Sequence, residues 1–456
     1  MADDSSRNAD LSAALSEAET RYVASNPKSR DRHDVAGNAM PGGNTRTVLH
    51  FDPFPLAWAK GEANRLTDLD GHVYADFLGE YTAGLYGHSD PVIQDAVRKA
   101  LADGIVLGGP NGYEGQLAKA ICDRFPSLDL VRFCNSGTEA NLLAVQTARF
   151  MTKRDRVMVF EAGYHGSVFY FGHHGHPLNF PIDWVIGQYN EIEPTRAQIR
   201  KHARELAAIL VEPMQGSGGC IPGDQAFLAM LREEATRHGI VLIFDEVMTS
   251  RLSPSGRQGS IGIAPDMTTL GKYLGGGLSF GAFGGRRDLM ERFDPARPDA
   301  IGHAGTFNNN VLSMAAGLAG ITKVFTNAEA TRINELGERM RHRLNEIAAH
   351  HKASMQATGI GSLLTVHFSD QPVRSPRDAQ PHDPAREQVM GAARKLYHLD
   401  MMAAGQYMAR RGFIALSLPM REKDIDRFLE ATEEFLSTRG PVLRAAFDQL
   451  ASTSPR

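Results

Sequence analysis

The sequence predicts an α/β protein: a large domain with a mainly parallel central sheet, joined to a smaller α+β C-terminal domain. Three observations predict it. Between about residues 115 and 325, short apolar runs alternate with helical stretches: Val157–Phe160, Ala208–Val211, Ile240–Phe244 and a weaker run near Ala282. Uninterrupted apolar strands separated by helices imply a sheet covered on both faces. Beyond about residue 328 the pattern changes to a long helix, Ala328–His350, a strand-like run, Ser362–Phe368, and a closing helix, Glu422–Arg439. The length, 456 residues, leaves room for more than one domain.

Taken in order, residues 1–45 are polar and end in the breaker cluster Met40-Pro41-Gly42-Gly43-Asn44. Leu11–Ala24 fits a helix; the rest, extended by residues 1–8, reads as an arm that needs a partner surface. Arg65–Phe77 reads as a hairpin, because two alternating runs flank Asp70-Gly71, the favoured two-residue turn signal. The expected division is therefore an arm and hairpin over 1–75, packed with the small domain, a large domain over 76–327 and a small domain over 328–456. Ala304–Thr322 carries no charge, yet it contains Asn308, Asn309, Asn310 and Ser313. It reads as a buried loop and helix, not a membrane span. Residues 370–387 are rich in Pro, Asp and Arg and read as an exposed loop.

Composition excludes several classes. The chain is 42% hydrophobic and 22% charged with net charge −4, ordinary for a globular protein. No polybasic tract is present, which argues against a nucleic-acid or membrane-surface role. Cys122, Cys134 and Cys220 cannot make a disulfide framework and lack zinc-ligand spacing. They read as buried or part-buried thiols of a reducing compartment. Asp3, Asp4, Asp10, Glu17 and Glu19 occupy the first thirty residues, with no apolar core for a signal peptide. A soluble cytoplasmic protein is expected, and no catalytic metal is suggested.

In such sheets ligands bind beyond the carboxyl ends of the strands. Three apolar runs end there in reactive residues: Leu206–Val211 delivers Glu212-Pro213, Ile240–Phe244 delivers Asp245-Glu246-Val247, and Met267–Gly271 delivers Lys272. Lys272 stands between an apolar segment and Gly275-Gly276-Gly277, which suits a partly desolvated amine available for Schiff-base chemistry. Taken alone it would sooner read as a snorkelling surface lysine, and Asp245 could be a helix cap. Asn135-Ser136-Gly137-Thr138-Glu139-Ala140 opens a helix with Ser-x-x-Glu capping spacing, and the same start is a ready anion site. Together, an amine, a carboxylate and a phosphate-ready helix start are what pyridoxal phosphate requires. Tyr164-His165-Gly166 offers a ring for the pyridine, although core packing would also account for Tyr164.

These segments, with Val211-Glu212-Pro213, Phe244 to Thr249, Thr269-Leu270-Gly271-Lys272 and Gly305-Thr306-Phe307, occur in an order that resembles the class III aminotransferases. Those are pyridoxal-phosphate enzymes of fold type I. The resemblance runs from about Met40 to Phe435. It implies that Lys272 is the Schiff-base lysine and Asp245 the pyridinium partner. Tyr164 and Val247 would lie on the two faces of the ring, with Glu212 nearby, and Ser136, Gly137 and Thr138 would hold the phosphate. Thr306 would reach the phosphate of the other subunit, so a homodimer is implied.

Within the family, Met40–Arg46, Glu80–Gly84, Phe244–Leu252, Gly271–Gly285 and Arg410–Phe413 are most similar to the β-phenylalanine (aromatic β-amino acid) aminotransferase group. The glutamate-1-semialdehyde aminomutases are near relatives. Asp245 to Thr249 looks like the mutase branch, but Glu212-Pro213-Met214-Gln215-Gly216 departs from its signature. By this resemblance Arg46 would hold the carboxylate of a β-amino acid, Arg411 the α-carboxylate of a keto acid such as 2-oxoglutarate or pyruvate, and Tyr81 would line the donor pocket. Either arginine could otherwise be a surface ion pair. The rival activities are an intramolecular aminomutase, a pyridoxal-phosphate-binding regulator, for which the arm is too short and acidic, and a non-catalytic homologue.

Overall fold

The computed structural model describes residues 10–172, 175–380 and 383–453. The arm extension expected at residues 1–8 lies outside them. The described chain forms two compact units. One holds the residues up to Tyr81, Gly87–Ser89 and Glu335 onward; the other holds Thr82–Tyr86 and Asp90–Asn334. Residues 76–81 thus group with the first unit and 328–334 with the second.

The second unit is built on a seven-stranded sheet. Its spatial order is Leu130–Cys134, Gly281–Gly285, Met267–Gly271, Val241–Asp245, Leu206–Val211, Arg156–Phe160 and Trp184–Gly187. Neighbours are parallel except where Gly281–Gly285 runs antiparallel to both of its partners. The expected mainly parallel sheet is present. Its central strands are buried at every residue, which is why they read as continuous apolar runs. Ala208, Leu210 and Ile243 pack with Ala140, Ala144 and Ala148 of the helix Gly137–Thr152. That row of alanines lets the helix lie close to the sheet. On the opposite face the ring of Phe160 meets Phe227 of the helix Gln225–His238 at 5.4 Å.

The uncharged stretch divides in two. Val311–Ala319 is a buried helix as expected. Ala304–Phe307, expected to be buried, is exposed. Among the described residues no single helix is long and apolar enough to cross a membrane. Cys134 and Cys220 are buried, Cys122 is half-buried, and all three are free thiols.

In the first unit the helix Leu11–Ser25 buries Ala14, Ala18 and Tyr22. It is tied down by ion pairs from Glu17 to Arg439 and from Glu19 to Lys395. A second helix, Pro27–Gly37, was not legible in the arm. Its first turn is capped from a distance: the Asp70 carboxylate accepts from Lys28 N at 2.9 Å and Ser29 N at 3.1 Å. Asp70 lies in the expected hairpin, Arg65–Asp68 against Val73–Asp76. The turn is longer than expected, since Asp68 N still pairs with His72 O at 3.0 Å and leaves three residues in the loop. Gly71, at φ 97°, closes it in the conformation that a side chain disfavours.

The hairpin is part of a four-stranded sheet with Trp58–Glu62 and Gln406–Tyr407, and this unit also holds a three-stranded sheet, Met355–Ile360, Leu363–Phe368 and Phe413–Ala415, and the helices Pro384–Ala403 and Glu422–Thr453. The last helix runs past the expected end at Arg439, through Gly440 and Pro441. Burial of Val442, Leu443 and Phe447 offsets the proline, since packing outweighs propensity. The described residues of the 370–387 segment are exposed in part only, with Val373, Pro376 and Ala379 buried, and they carry a short helix, Pro376–Ala379, with a capping box from Ser375 and Asp378.

Candidate active site

In the second unit, four strand ends deliver the candidate residues side by side. Leu130–Cys134 leads to Ser136, Met267–Gly271 to Lys272, Val241–Asp245 ends on Asp245, and Leu206–Val211 leads to Glu212. Lys272 begins a short 3-10 turn at φ 55° and is half-buried.

Asp245 is 4% exposed. Its Oδ2 accepts from Asn141 Nδ2 at 2.8 Å and faces His165 Nδ1 at 2.8 Å, and its Oδ1 accepts from Val247 N at 3.0 Å. Asn141 is itself fixed, accepting from Thr269 Oγ1 at 2.7 Å and donating to His165 O at 3.0 Å. Thr269 and Asp245 are register partners on adjacent strands. A buried carboxylate fixed in this way at a strand end suits a cationic partner.

Glu212 is also buried. Its two oxygens accept from Tyr164 N at 3.0 Å and Gly216 N at 3.1 Å. Burial pushes its carboxyl up to about 7; Asp245 adds to the rise, while His165 and the two amides oppose it. Glu246, the next residue after Asp245, faces the other way as a clamp. It accepts from Arg257 N at 2.7 Å and Gln258 N at 2.9 Å, anchoring the helix Gly256–Ile261.

Ser136 caps the helix Gly137–Thr152 by accepting from Glu139 N at 3.2 Å. The expected capping box is shifted by one residue, because Glu139 Oε2 reaches Asn135 N at 2.9 Å. The amides of Gly137 and Thr138 face out of the helix start, as first-turn amides do. A Cβ on Gly137 would lie 3.0 Å from both methyls of Val247, so glycine lets Val247 approach this start. Thr138 Oγ1 accepts from Ser167 N at 3.3 Å, which ties the Tyr164-His165-Gly166 turn to the same place. Tyr164 is 44% exposed and lies edge-to-face with Tyr170. Thr306 is exposed; two residues on, Asn308 Oδ1 accepts from Asn135 Nδ2 at 3.0 Å.

The substrate candidates meet in the first unit. The guanidinium of Arg46 lies 5.9 Å, and that of Arg411 5.2 Å, from the centre of the Tyr81 ring. The ring is stacked on Phe413 at 5.6 Å and 19°, and Tyr81 Oη donates to Val48 O at 3.1 Å. Arg46 also pairs with Glu80. Asn141, His165 and Thr269 around Asp245 carry no functional signal in the sequence, although His165 stands inside the Tyr164-His165-Gly166 turn.

The model of the aminotransferase class-III family matches residues 49–172 and 183–396. The chain belongs to the class-III aminotransferases. It is therefore an enzyme of a pyridoxal-phosphate-dependent family of fold type I. It is 49% identical over 439 residues to the β-phenylalanine transaminase of Variovorax paradoxus, covering 96% of this chain and 99% of that one. The crystal structure of a β-phenylalanine aminotransferase from Variovorax paradoxus matches this aminotransferase with a TM-score of 0.91 at 49% identity, over 95% of this chain and 99% of that one. A glutamate-1-semialdehyde 2,1-aminomutase of Thermomicrobium roseum is 37% identical over 89% of this chain and 96% of its own.

The second unit fits the family's cofactor. It offers a helix start with bare amides beside a glycine, a buried carboxylate held in place by hydrogen bonds, and a lysine on the neighbouring strand end.

Proposed function

We propose that this aminotransferase takes its amine from a β-amino acid with an aromatic side chain, such as β-phenylalanine, and passes it to a keto acid such as 2-oxoglutarate or pyruvate. The supporting observation is the pair of guanidiniums over one tyrosine ring. A ping-pong transamination receives two carboxylates in turn, and a planar guanidinium suits each. Arg46 would hold the carboxylate of the donor, Arg411 the α-carboxylate of the acceptor, and Tyr81 would line the pocket beside the donor's side chain.

When bound, pyridoxal phosphate supplies an aldehyde to take up the amine and an electron-poor ring to stabilise charge at the reacting carbon. Ser136, Gly137 and Thr138 would hold its phosphate, Tyr164 and Val247 its ring faces, and Glu212 would fix Tyr164 through the backbone. Asp245 would keep the proton on the ring nitrogen. Lys272 would hold the cofactor in the resting enzyme. Its Nζ would then remove the proton from the donor's amine-bearing carbon and return it as general acid.

A homodimer belongs to the same reading, with Thr306 reaching the cofactor phosphate of the partner subunit. Its support is the exposed Phe307 beside Thr306, and the exposed Leu101, Ile105, Val106 and Leu107. Hydrogen bonds from Asn309 Nδ2 to Gly109 O and from Asn111 Nδ2 to Asn309 O join these two loops. A cytoplasmic location completes the proposal.

Single-turnover half-reactions test it, each followed by the visible absorption of the holoenzyme. Arg46→Ala should raise the β-phenylalanine concentration for half-maximal rate at least about tenfold, the worth of one charge-assisted hydrogen-bonded pair. It should have little effect on the 2-oxoglutarate half, and Arg411→Ala should show the reverse bias. Equal impairment of both halves by both variants would contradict the assignment.

A further inference from the structure

We propose that Glu80 is the chain's own occupant of the carboxylate site on Arg46, and that a substrate carboxylate enters by displacing it. This rests on the reading of Arg46 as the donor's carboxylate ligand.

The two side chains form an ion pair beside the Tyr81 ring. Glu80 does not arrive there by side-chain reach alone. Glu80, Tyr81 and Thr82 stand at φ 48°, 51° and 84°, three successive residues in the left-handed region that side chains disfavour. Such backbone persists only where its surroundings hold it, and an outlier of this kind points to a use. Asp76 Oδ1 accepts from Leu78 N at 2.9 Å and Gly79 N at 3.0 Å, and Tyr81 N donates to Leu78 O at 3.1 Å. A Cβ on Gly79 would lie 2.9 Å from Ala415 O, so the turn is also wedged from behind. The turn therefore fixes both the Tyr81 ring and the Glu80 carboxylate at one place.

The chemistry follows from charge. A donor that carries a carboxylate exchanges one anion for another on Arg46 and leaves the local charge unchanged. An amine without a carboxylate gains nothing at Arg46 while Glu80 holds it. Glu80 is thus a positioning residue that sets the affinity for carboxylate without touching the reacting carbon.

The test uses the holoenzyme with β-phenylalanine as donor, 1-phenylethylamine as a carboxylate-free donor and 3-phenylpropanoate as a competitor that lacks the amine. Glu80→Gln should lower both the β-phenylalanine KM and the 3-phenylpropanoate inhibition constant about threefold to fivefold, the scale of a half-exposed ion pair. The effect should fall on KM and not on the limiting rate, with no gain for 1-phenylethylamine. On an Arg46→Ala background Glu80→Gln should add nothing, as coupling through that pair requires. Glu80→Gly, which relieves the backbone, should show the same gain together with a higher melting temperature. Unchanged or raised constants in both Glu80 variants, or a gain that survives the loss of Arg46, would overturn the inference. Arg46→Ala alone reports on the underlying reading: an unchanged KM there sinks that reading, whereas weaker binding there without a gain in Glu80→Gln sinks only the role of Glu80.

Discussion

Asp245 carries the most constrained charge in the candidate site, and its value to the reaction lies in what surrounds it. Asn141, His165 and the Val247 amide hold both oxygens. Asp245→Asn should keep the fold and lose more than about a hundredfold in half-reaction rate, or about 3 kcal/mol of transition-state stabilisation. Stopped-flow turnover within threefold of wild type would show that another group protonates the ring. Asn141→Leu removes one donor from Asp245 and strands the Thr269 hydroxyl. It should cost about 1–3 kcal/mol of stability, read by denaturant unfolding, and slow the half-reaction without changing KM. Lys272 and Asp245 were legible because each directly follows an apolar run, so strand order alone brings them together. Asn141 was not. Its partners stand 104 and 128 residues away, and its position inside a helix gives no local sign of a polar network. Arg46 and Arg411 were legible only by resemblance, since an arginine beside a loop has no distinguishing pattern.

At the scale of elements, the helix start at Ser136 depends on a strand that has no side chains to spare. Gly281 faces it so closely that a Cβ would lie 2.2 Å from Ser136 O. Gly281→Ala should lower the melting temperature and weaken cofactor affinity at least about tenfold, because the backbone must move to make room. Gly115→Ala, where a Cβ meets nothing within 4 Å, should be neutral or slightly stabilising. The end of Leu206–Val211 gives a pH prediction. Glu212 is raised by burial from 4.5 to about 7. Its contribution to stability is therefore full below about pH 4.5 and is lost as pH rises through about 7, a change on the order of 3 kcal/mol. Cofactor-free Glu212→Gln, which resembles the protonated form, should lose less melting temperature between pH 5 and 8 than wild type. Equal slopes would contradict the assignment. Continuous apolar strands were the most readable elements. Leu130–Cys134, half-buried and interrupted by Arg132, and the edge strand Trp184–Gly187 lack that pattern. The helix Glu422–Thr453 outran its breaker because its apolar face is buried beyond Pro441.

For the whole molecule, the two units take different parts in the account: one presents the cofactor candidates, the other the carboxylate candidates. The exposed apolar loop at Ile105–Leu107 and the Thr306 loop give the homodimer proposal its test. Val106→Asp places a charge at a residue that is 82% exposed, so the fold should survive while the mass measured by light scattering falls from two chains toward one. An unchanged dimer would place the interface elsewhere. The sequence alone conveyed the sheet and the family, whereas the choice between transferase and mutase turns on small differences within shared motifs. The most direct measurement offers the purified holoenzyme β-phenylalanine and glutamate-1-semialdehyde separately, with and without 2-oxoglutarate. β-Phenylalanine alone should discharge the visible absorption in one turnover, and continued conversion should require the keto acid. Conversion of glutamate-1-semialdehyde without any keto acid, with β-phenylalanine leaving the spectrum unchanged, would contradict the transaminase reading.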